Sequence, residues 1–178
     1  MHEVMIDLET MGTGPGAAIL AIGAVAMDFD SLTLGQTWYT TIDLGSSVQI
    51  GGVIDASTVL WWLKQSDEAR AAVTRGERSI HEALIQLSIF LQTVAEGKRP
   101  HIWGNGATFD NVILRTAYQR LSLDPPWDYR GDRCFRTMRA MYPQVPKVEP
   151  VVEHNALDDA RAQATQLLNI LKYARVES

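Results

Sequence analysis

The sequence predicts an α/β or α+β layered domain built around a mixed sheet, and three observations carry that expectation. Strand signals crowd the N-terminal part: a period-two segment at residues 4–10, an apolar run at 18–29, and an aromatic and β-branched stretch at 35–43. Amphipathic helical patterns dominate from residue 79 onward, interrupted by a short apolar strand at 101–103. The chain of 178 residues, 46% hydrophobic and 21% charged, is also long enough to bury a core without staples, so one domain over residues 1–178 is expected.

Taken in order, Val4, Ile6 and Leu8 alternate with Met5, Asp7 and Glu9, the mark of a strand with two different faces. Residues 10–16 form a glycine-rich turn that lacks the Gly-Lys-Ser/Thr ending of a phosphate loop. It reads as a flexible connection whose backbone N–H groups are open to a ligand. Residues 18–29 are almost continuously apolar around Gly23 and read as a central strand. Asp30-Ser31 then turns the chain into a returning strand at 35–43, which completes a meander.

Asp55-Ala56-Ser57 is expected to cap a helix carrying residues 59–63, with a break and a second cap at 65–69. Ser79 caps a clearer helix, in which Ile80, Leu84, Leu87, Leu91 and Val94 form one stripe and Gly97 ends the run. The strand at 101–103 leads through Gly104-Asn105-Gly106 into a helix carrying Phe109, Val112, Ile113 and Leu114, with Asp110 in its first turn. Asp124-Pro125-Pro126 breaks the chain before a short segment near Tyr129. Residues 136–142 are helical, Pro143, Pro146 and Pro150 enforce an extended loop, and a long amphipathic helix runs from 156 to about 175.

Composition narrows the function classes. The single Cys134 rules out an internal disulfide and fits a reducing, cytoplasmic setting. No apolar run reaches the roughly 18 residues of a membrane span, and a strand at the very N-terminus leaves no room for a signal peptide. A net charge of −5 argues against a broad electrostatic grip on duplex nucleic acid. It leaves open an enzyme that holds only a strand end, because bound divalent cations invert the local field.

Asp7 and Glu9, two residues apart on a strand, project to the same side. Adjacent carboxylates in a partly buried place ask for a positive partner, and hard divalent cations prefer oxygen ligands. Solvated acids at a strand end are the simpler explanation of that pair alone. In the last helix, Ala156, Asp159, Ala160, Gln163, Ala164, Leu167 and Leu171 share one face, whereas Asp158 falls with Arg161, Thr165, Asn169 and Lys172. With Asn155 as the N-cap, Asp158 takes the third helical position, where an acid suits the helix dipole. Asp159 has no such explanation. Trp61 and Trp62, adjacent on a helix, cannot face the same way, so one is expected to be buried and the other partly exposed. Arg130, Arg133, Arg136 and Arg139 read as a solvated rim.

Asp7-Leu8-Glu9-Thr10, Asn105-Gly106-Ala107-Thr108-Phe109-Asp110 and His154-Asn155-Ala156-Leu157-Asp158-Asp159-Ala160 together resemble, in order, the three motifs of the DEDDh exonuclease superfamily, which includes DnaQ-like and RNase T-like enzymes. The segment Trp61-Trp62-Leu63-Lys64-Gln65-Ser66 followed by Glu68-Ala69-Arg70 is similar to phage and prophage enzymes of the T4 exonuclease A type. The resemblance implies a ribonuclease H-like mixed five-stranded sheet flanked by helices. It implies that Asp7, Glu9, Asp110 and Asp159 hold two divalent cations, Mg²⁺ or Mn²⁺, and that His154 is the general base. Histidine suits that role, since its ordinary pKa lies closest to neutrality. The implied partner is the 3′ end of single-stranded nucleic acid, DNA before RNA, with Thr10, Met11, Gly12, Trp61, Asn105 and Phe109 as substrate contacts. No membrane partner is expected, and a homodimer is expected by resemblance alone. A non-catalytic or polymerase-associated binding module is the alternative of another class; it predicts a damaged acid set, yet all four acids and the histidine are present.

Overall fold

In the computed structural model, which describes residues 2–177, the meander forms as expected. Strand β1 (Glu3–Thr10) pairs antiparallel with β2 (Ile19–Asp28), and β2 pairs antiparallel with β3 (Thr33–Thr41). Helix α1 (Leu44–Gln49), α2 (Ala56–Trp62), α3 (Asp67–Val73) and α4 (Ile80–Ala95) follow. Strand β4 (His101–Gly104) then pairs parallel with β1 on its free side, and α5 (Asp110–Arg120) leads to a short 3₁₀ turn at Tyr129–Gly131. Strand β5 (Asp132–Cys134) adds parallel to β4, and α6 (Phe135–Met141) and α7 (Ala156–Glu177) complete the chain. The sheet is mixed and five-stranded in the order β3-β2-β1-β4-β5, flanked by helices. No helix among the described residues is long and apolar enough to cross a membrane.

The two faces of β1 explain the layers. Val4, Ile6 and Leu8 pack with Leu84, Leu87, Leu91, Ile113 and Leu114 under α4 and α5. Met5 points the other way, with Val25, Met27, Ala160, Ala164 and Leu167, under α7. Because side chains alternate along a strand, Asp7 and Glu9 share the α7 side with Met5. The apolar run of β2 is buried along nearly its whole length, as a strand covered on both faces should be.

Gly23, paired opposite Asp7, is where α7 meets the sheet. A Cβ there would lie 2.2 Å from the Ala156 carbonyl oxygen and 2.5 Å from the Leu157 nitrogen. The missing side chain lets the first turn of α7 rest directly on β2, one strand away from Asp7.

Several expectations need correction. The middle strand is β1, with β2 beside it. Strand β3 begins two residues before the expected 35 and is an edge strand. Helix α1 was not foreseen, because Gly45, Ser46 and Ser47 are weak helix formers; it is held by Asp43, which accepts from Ser46 N, and by Ser47 Oγ, which accepts from Ile19 N. Helix α4 has the Ser79–Glu82 capping box, yet the left-handed residue that ends it is Glu96 (φ +51°), one before Gly97. Asp55 stands at the N-cap of α2 but makes no side-chain cap bond; its Oδ2 accepts from Thr13 N at 3.1 Å and ties down the glycine-rich turn. Strand β5 has three residues and no apolar alternation, so periodicity does not locate it. Asp132 anchors it by accepting from Trp127 Nε1 and Asn111 Nδ2.

Candidate active site

Three elements bring the acids together at one end of the sheet. Asp7 and Glu9 come from the last half of β1. Neighbouring β4 ends at Gly104, where a Cβ would lie 2.4 Å from Asn111 Oδ1 and 3.0 Å from Asp110 Cβ. Only glycine lets the start of α5 fold back that closely, and Asp110, its first residue, is thereby buried to 2% exposure behind the strand end. From the third side, Asn155 caps α7 by accepting from Leu157 N and Asp158 N. This orients the first helical turn so that Asp159 faces the sheet.

His154 precedes the cap in a left-handed conformation, φ +63°. Its backbone N–H donates to Asp159 Oδ2 at 2.9 Å, and its ring meets Trp61 edge-to-face with centroids 4.7 Å apart. Trp61 is 41% exposed and Trp62 6%, so the adjacent pair divides as expected. The Trp62 indole N–H donates to Thr10 O at 2.9 Å and fixes the backbone just beyond Glu9.

Asp7, Glu9, Asp159, His154, Asn105 and Phe109 border a cleft of about 540 Å³, with Thr10, Gly12, Thr13, Thr58 and Trp61 around them, while Asp110 lies buried outside its lining. Of the expected substrate contacts, Thr10, Gly12, Trp61, Asn105 and Phe109 line it. Met11 does not: its side chain packs on Leu20, Trp62, Ala69 and Val73, on the far side of Trp62. The turn alternates its side chains, and the apolar one goes to the apolar cluster. Asp158 does not line the cleft either.

The electrostatics of the cluster are those of buried acids whose positive neighbours, Arg136 and His154, do not offset burial. Burial, then the charges of Asp110, Glu9 and Asp159, push the Asp7 carboxyl well above the ordinary carboxylate range. Burial, then Asp159 and Asp110, raise Glu9 to about 8. Burial raises Asp110 to about 7 against the pull of backbone N–H groups of Leu8 and Asn105. Burial also raises Asp159, opposed by the His154 N–H. Asp110 Oδ2 and Asn105 Oδ1 are buried and accept from no group among the described residues. Glu9, His154 and Asp159 each place one potential ligand atom within 4.8 Å of the others. Oxygen donors in this number, with raised pKa values and an orphaned carboxylate oxygen, fit a hard divalent cation.

Sequence reasoning missed two supports. Gln163 Nε2 donates to Asp7 Oδ1 at 2.7 Å, and the Trp62–Thr10 bond spans 52 residues. Gln163 was legible in principle, since it shares the inward face of α7 one turn after Asp159; the Trp62 bond had no local signal.

Comparison with known proteins identifies a family and a shared fold. The family model described as "3'-5' exoribonuclease Rv2179c-like domain" matches residues 2–171. An exodeoxyribonuclease of Enterobacteria phage T4 is 23% identical over 124 residues, covering 64% of this chain. The chain spans about half the length of that relative, 54%. Among solved structures, the nuclease domain of 3'hExo, a DEDDh family member bound to rAMP, superposes with a TM-score of 0.63 at 16% identity, covering 96% of this chain and 92% of that one. E. coli Exonuclease I in complex with a dT13 oligonucleotide superposes with a TM-score of 0.62 at 18% identity, covering 98% of this chain and 42% of that one. These likenesses share the fold.

Proposed function

We propose that this chain, which belongs to the Rv2179c-like 3′–5′ exoribonuclease family, is a 3′–5′ exonuclease of the DEDDh type that releases nucleoside 5′-monophosphates from the 3′ ends of single-stranded nucleic acid. The observation that carries this reading is the convergence of Asp7, Glu9 and Asp159 with His154 in one cleft, with Asp110 buried against them.

In this reading Asp7, Glu9, Asp110 and Asp159 would hold two divalent cations, Mg²⁺ or Mn²⁺. When bound, such ions neutralise charge at phosphorus and at the leaving 3′ oxygen and acidify the attacking water. His154 accepts the proton from that water as its oxygen attacks phosphorus and the bond to the 3′ oxygen breaks. Asp159, by accepting the His154 N–H, holds the histidine backbone in place for this transfer. The half-exposed Trp61 and Phe109 offer aromatic surfaces to the terminal base, a contact worth about 1–3 kcal/mol and tolerant of sequence. Thr10, Gly12 and Asn105, which line the same cleft, are the residues this reading assigns to the sugar and phosphate of that nucleotide.

RNA is the first choice of substrate, ahead of the DNA that the phage-type resemblance favours. The exoribonuclease family description covers nearly the whole chain, whereas the exodeoxyribonuclease likeness covers 64% of it. DNA is the second reading, supported by that likeness.

The test is a time course on 5′-labelled single-stranded RNA and matched DNA, each with Mn²⁺, Mg²⁺ or EDTA. A ladder shortening from the 3′ end on RNA, abolished by EDTA, is the expected result. A ladder on DNA alone moves the assignment to the second reading, and binding without cleavage of either refutes the exonuclease.

A further inference from the structure

Gln163 is half used. It stands on α7 four residues after Asp159, so helix geometry puts the carboxylate and the carboxamide on one face, directed at the same end of the sheet. Its Nε2 donates to Asp7 Oδ1 at 2.7 Å, across 156 residues of sequence. Its Oε1 is buried and accepts from no group among the described residues. The side chain lies between two spaces: the 540 Å³ cleft and a smaller polar cavity of about 260 Å³ on the other side of His154 and Asp159.

We propose that Gln163 is a positioning residue of the cation site: its amide N–H fixes the rotation of the Asp7 carboxylate, and its free Oε1 receives a hydrogen bond from water that enters with the hydrated cation. The inference rests on the reading of the acids as a cation site. An ionised carboxylate can only accept, so the end of the carboxamide that faces Asp7 in the loaded protein is the NH₂. That assignment leaves the oxygen as the unmatched half, and a hydrated Mg²⁺ or Mn²⁺ supplies what it lacks, because its retained waters direct their hydrogens outward. Partners that orient a metal ligand without touching the metal typically change metal affinity 10–100-fold. A simpler alternative is that Gln163 only pins α7 to β1. The two differ in what happens without metal: a structural pin stabilises the metal-free fold, and a positioning residue that carries a buried, unmatched oxygen does not.

The test uses the full chain with Gln163→Met, which keeps the length and helix preference but makes neither hydrogen bond, and Gln163→Ala as a second variant. Mn²⁺ binding is measured by titration calorimetry, and urea unfolding is measured in EDTA. The expected result is Mn²⁺ binding weakened about 10–100-fold, with the EDTA unfolding midpoint of Gln163→Met no lower than that of the parent chain. Mn²⁺ affinity within about twofold of the parent in either folded variant overturns the proposal. So does a lowered EDTA midpoint together with unchanged Mn²⁺ affinity in the remaining folded fraction. If the parent chain itself binds no Mn²⁺, or if Asp7→Asn binds it as well as the parent does, the cation reading of the acids fails and this inference fails with it. A loss confined to the Gln163 variants leaves the cation reading intact.

Discussion

Gly23→Ala is the substitution that tests whether α7 is held where the chemistry needs it. An alanine Cβ at this position would stand 2.2 Å from the Ala156 oxygen, 2.3 Å from its carbonyl carbon and 2.5 Å from the Leu157 nitrogen. Non-bonded heavy atoms settle at about 3.5–4.0 Å, and all three atoms are backbone, so no side chain can swing aside. The first turn of α7 must withdraw by on the order of an ångström. Asp159 lies in that turn and Gln163 one turn later, while Asp7 pairs opposite Gly23 on β1. The substitution therefore widens the gap between Asp159 and Gln163 on α7 and Asp7 and Glu9 on β1. Overpacking of this kind costs about 1–3 kcal/mol, which leaves a domain of ordinary stability folded. Misplacing a reacting group by about 1 Å costs about 10²-fold in rate. The expected outcome is a modest fall in the urea midpoint with a single-turnover rate about 100-fold lower on a 5′-labelled oligonucleotide, far more than the unfolded fraction explains. Gly14→Ala is the control, because a Cβ there meets nothing within 4 Å. A Gly23→Ala chain with parental stability and a rate within about twofold of the parent would refute the reasoning.

Other outcomes follow from the same geometry. Asp159→Ala should reduce cleavage severely and Asp158→Ala only mildly, since Asp159 lines the cleft and Asp158 does not; the reverse order in a rate assay overturns the helix-face assignment. His154→Ala should lower the rate by about 10²–10⁴-fold with Mn²⁺ affinity unchanged by calorimetry; a large loss of affinity would instead make His154 a ligand beside Glu9 and Asp159. In EDTA, the stability of the chain should fall as pH rises. Glu9 is raised to about 8 and Asp110 to about 7, so the folded chain keeps protons that the unfolded chain releases near pH 4. That contribution is full below about pH 4 and is lost as the pH climbs through about 7 and 8. Urea midpoints in EDTA between about pH 5 and 9 should decline, and Mg²⁺ should restore more at the upper end; a flat profile refutes the buried-acid cluster.

The parts of the site that repeat a local rule were readable in the sequence. Alternation along β1 put Asp7 and Glu9 on one side, helix periodicity separated Asp159 from Asp158, and Ser79 announced α4. The parts that depend on long-range contact were not. Met11 is expected among the substrate contacts, yet the Leu20–Trp62–Val73 cluster draws it away. Asp55 looked like a simple N-cap, yet Thr13 takes its carboxylate. Helix α1 and strand β5 lack propensity of their own and are held by Ser47 and Asp132, whose partners Ile19 and Asn111 lie elsewhere in the chain. In the sequence Gly23 is only one residue of an apolar strand, and its purpose appears when the backbone of α7 is laid against it.

A cluster of this kind links folding to the ion it is built for. Four acids packed with raised pKa values oppose folding whenever they are forced to ionise, and the sheet, buried on both faces at β1 and β2, supplies the apolar stabilisation that tolerates them. A cation that binds only the folded chain adds RT ln(1 + [L]/Kd), about 2.7 kcal/mol at a hundredfold excess over Kd. The same binding draws the protons off Glu9 and Asp110, so it is tightest where the metal-free chain is weakest, at mildly alkaline pH. An acidic chain of net charge −5 then acquires its local positive field only when the ion is present. On the proposed function, metal loading and nucleic-acid binding are coupled above the raised pKa values, where the ionised acids repel the polyanion from the cleft until a cation neutralises them.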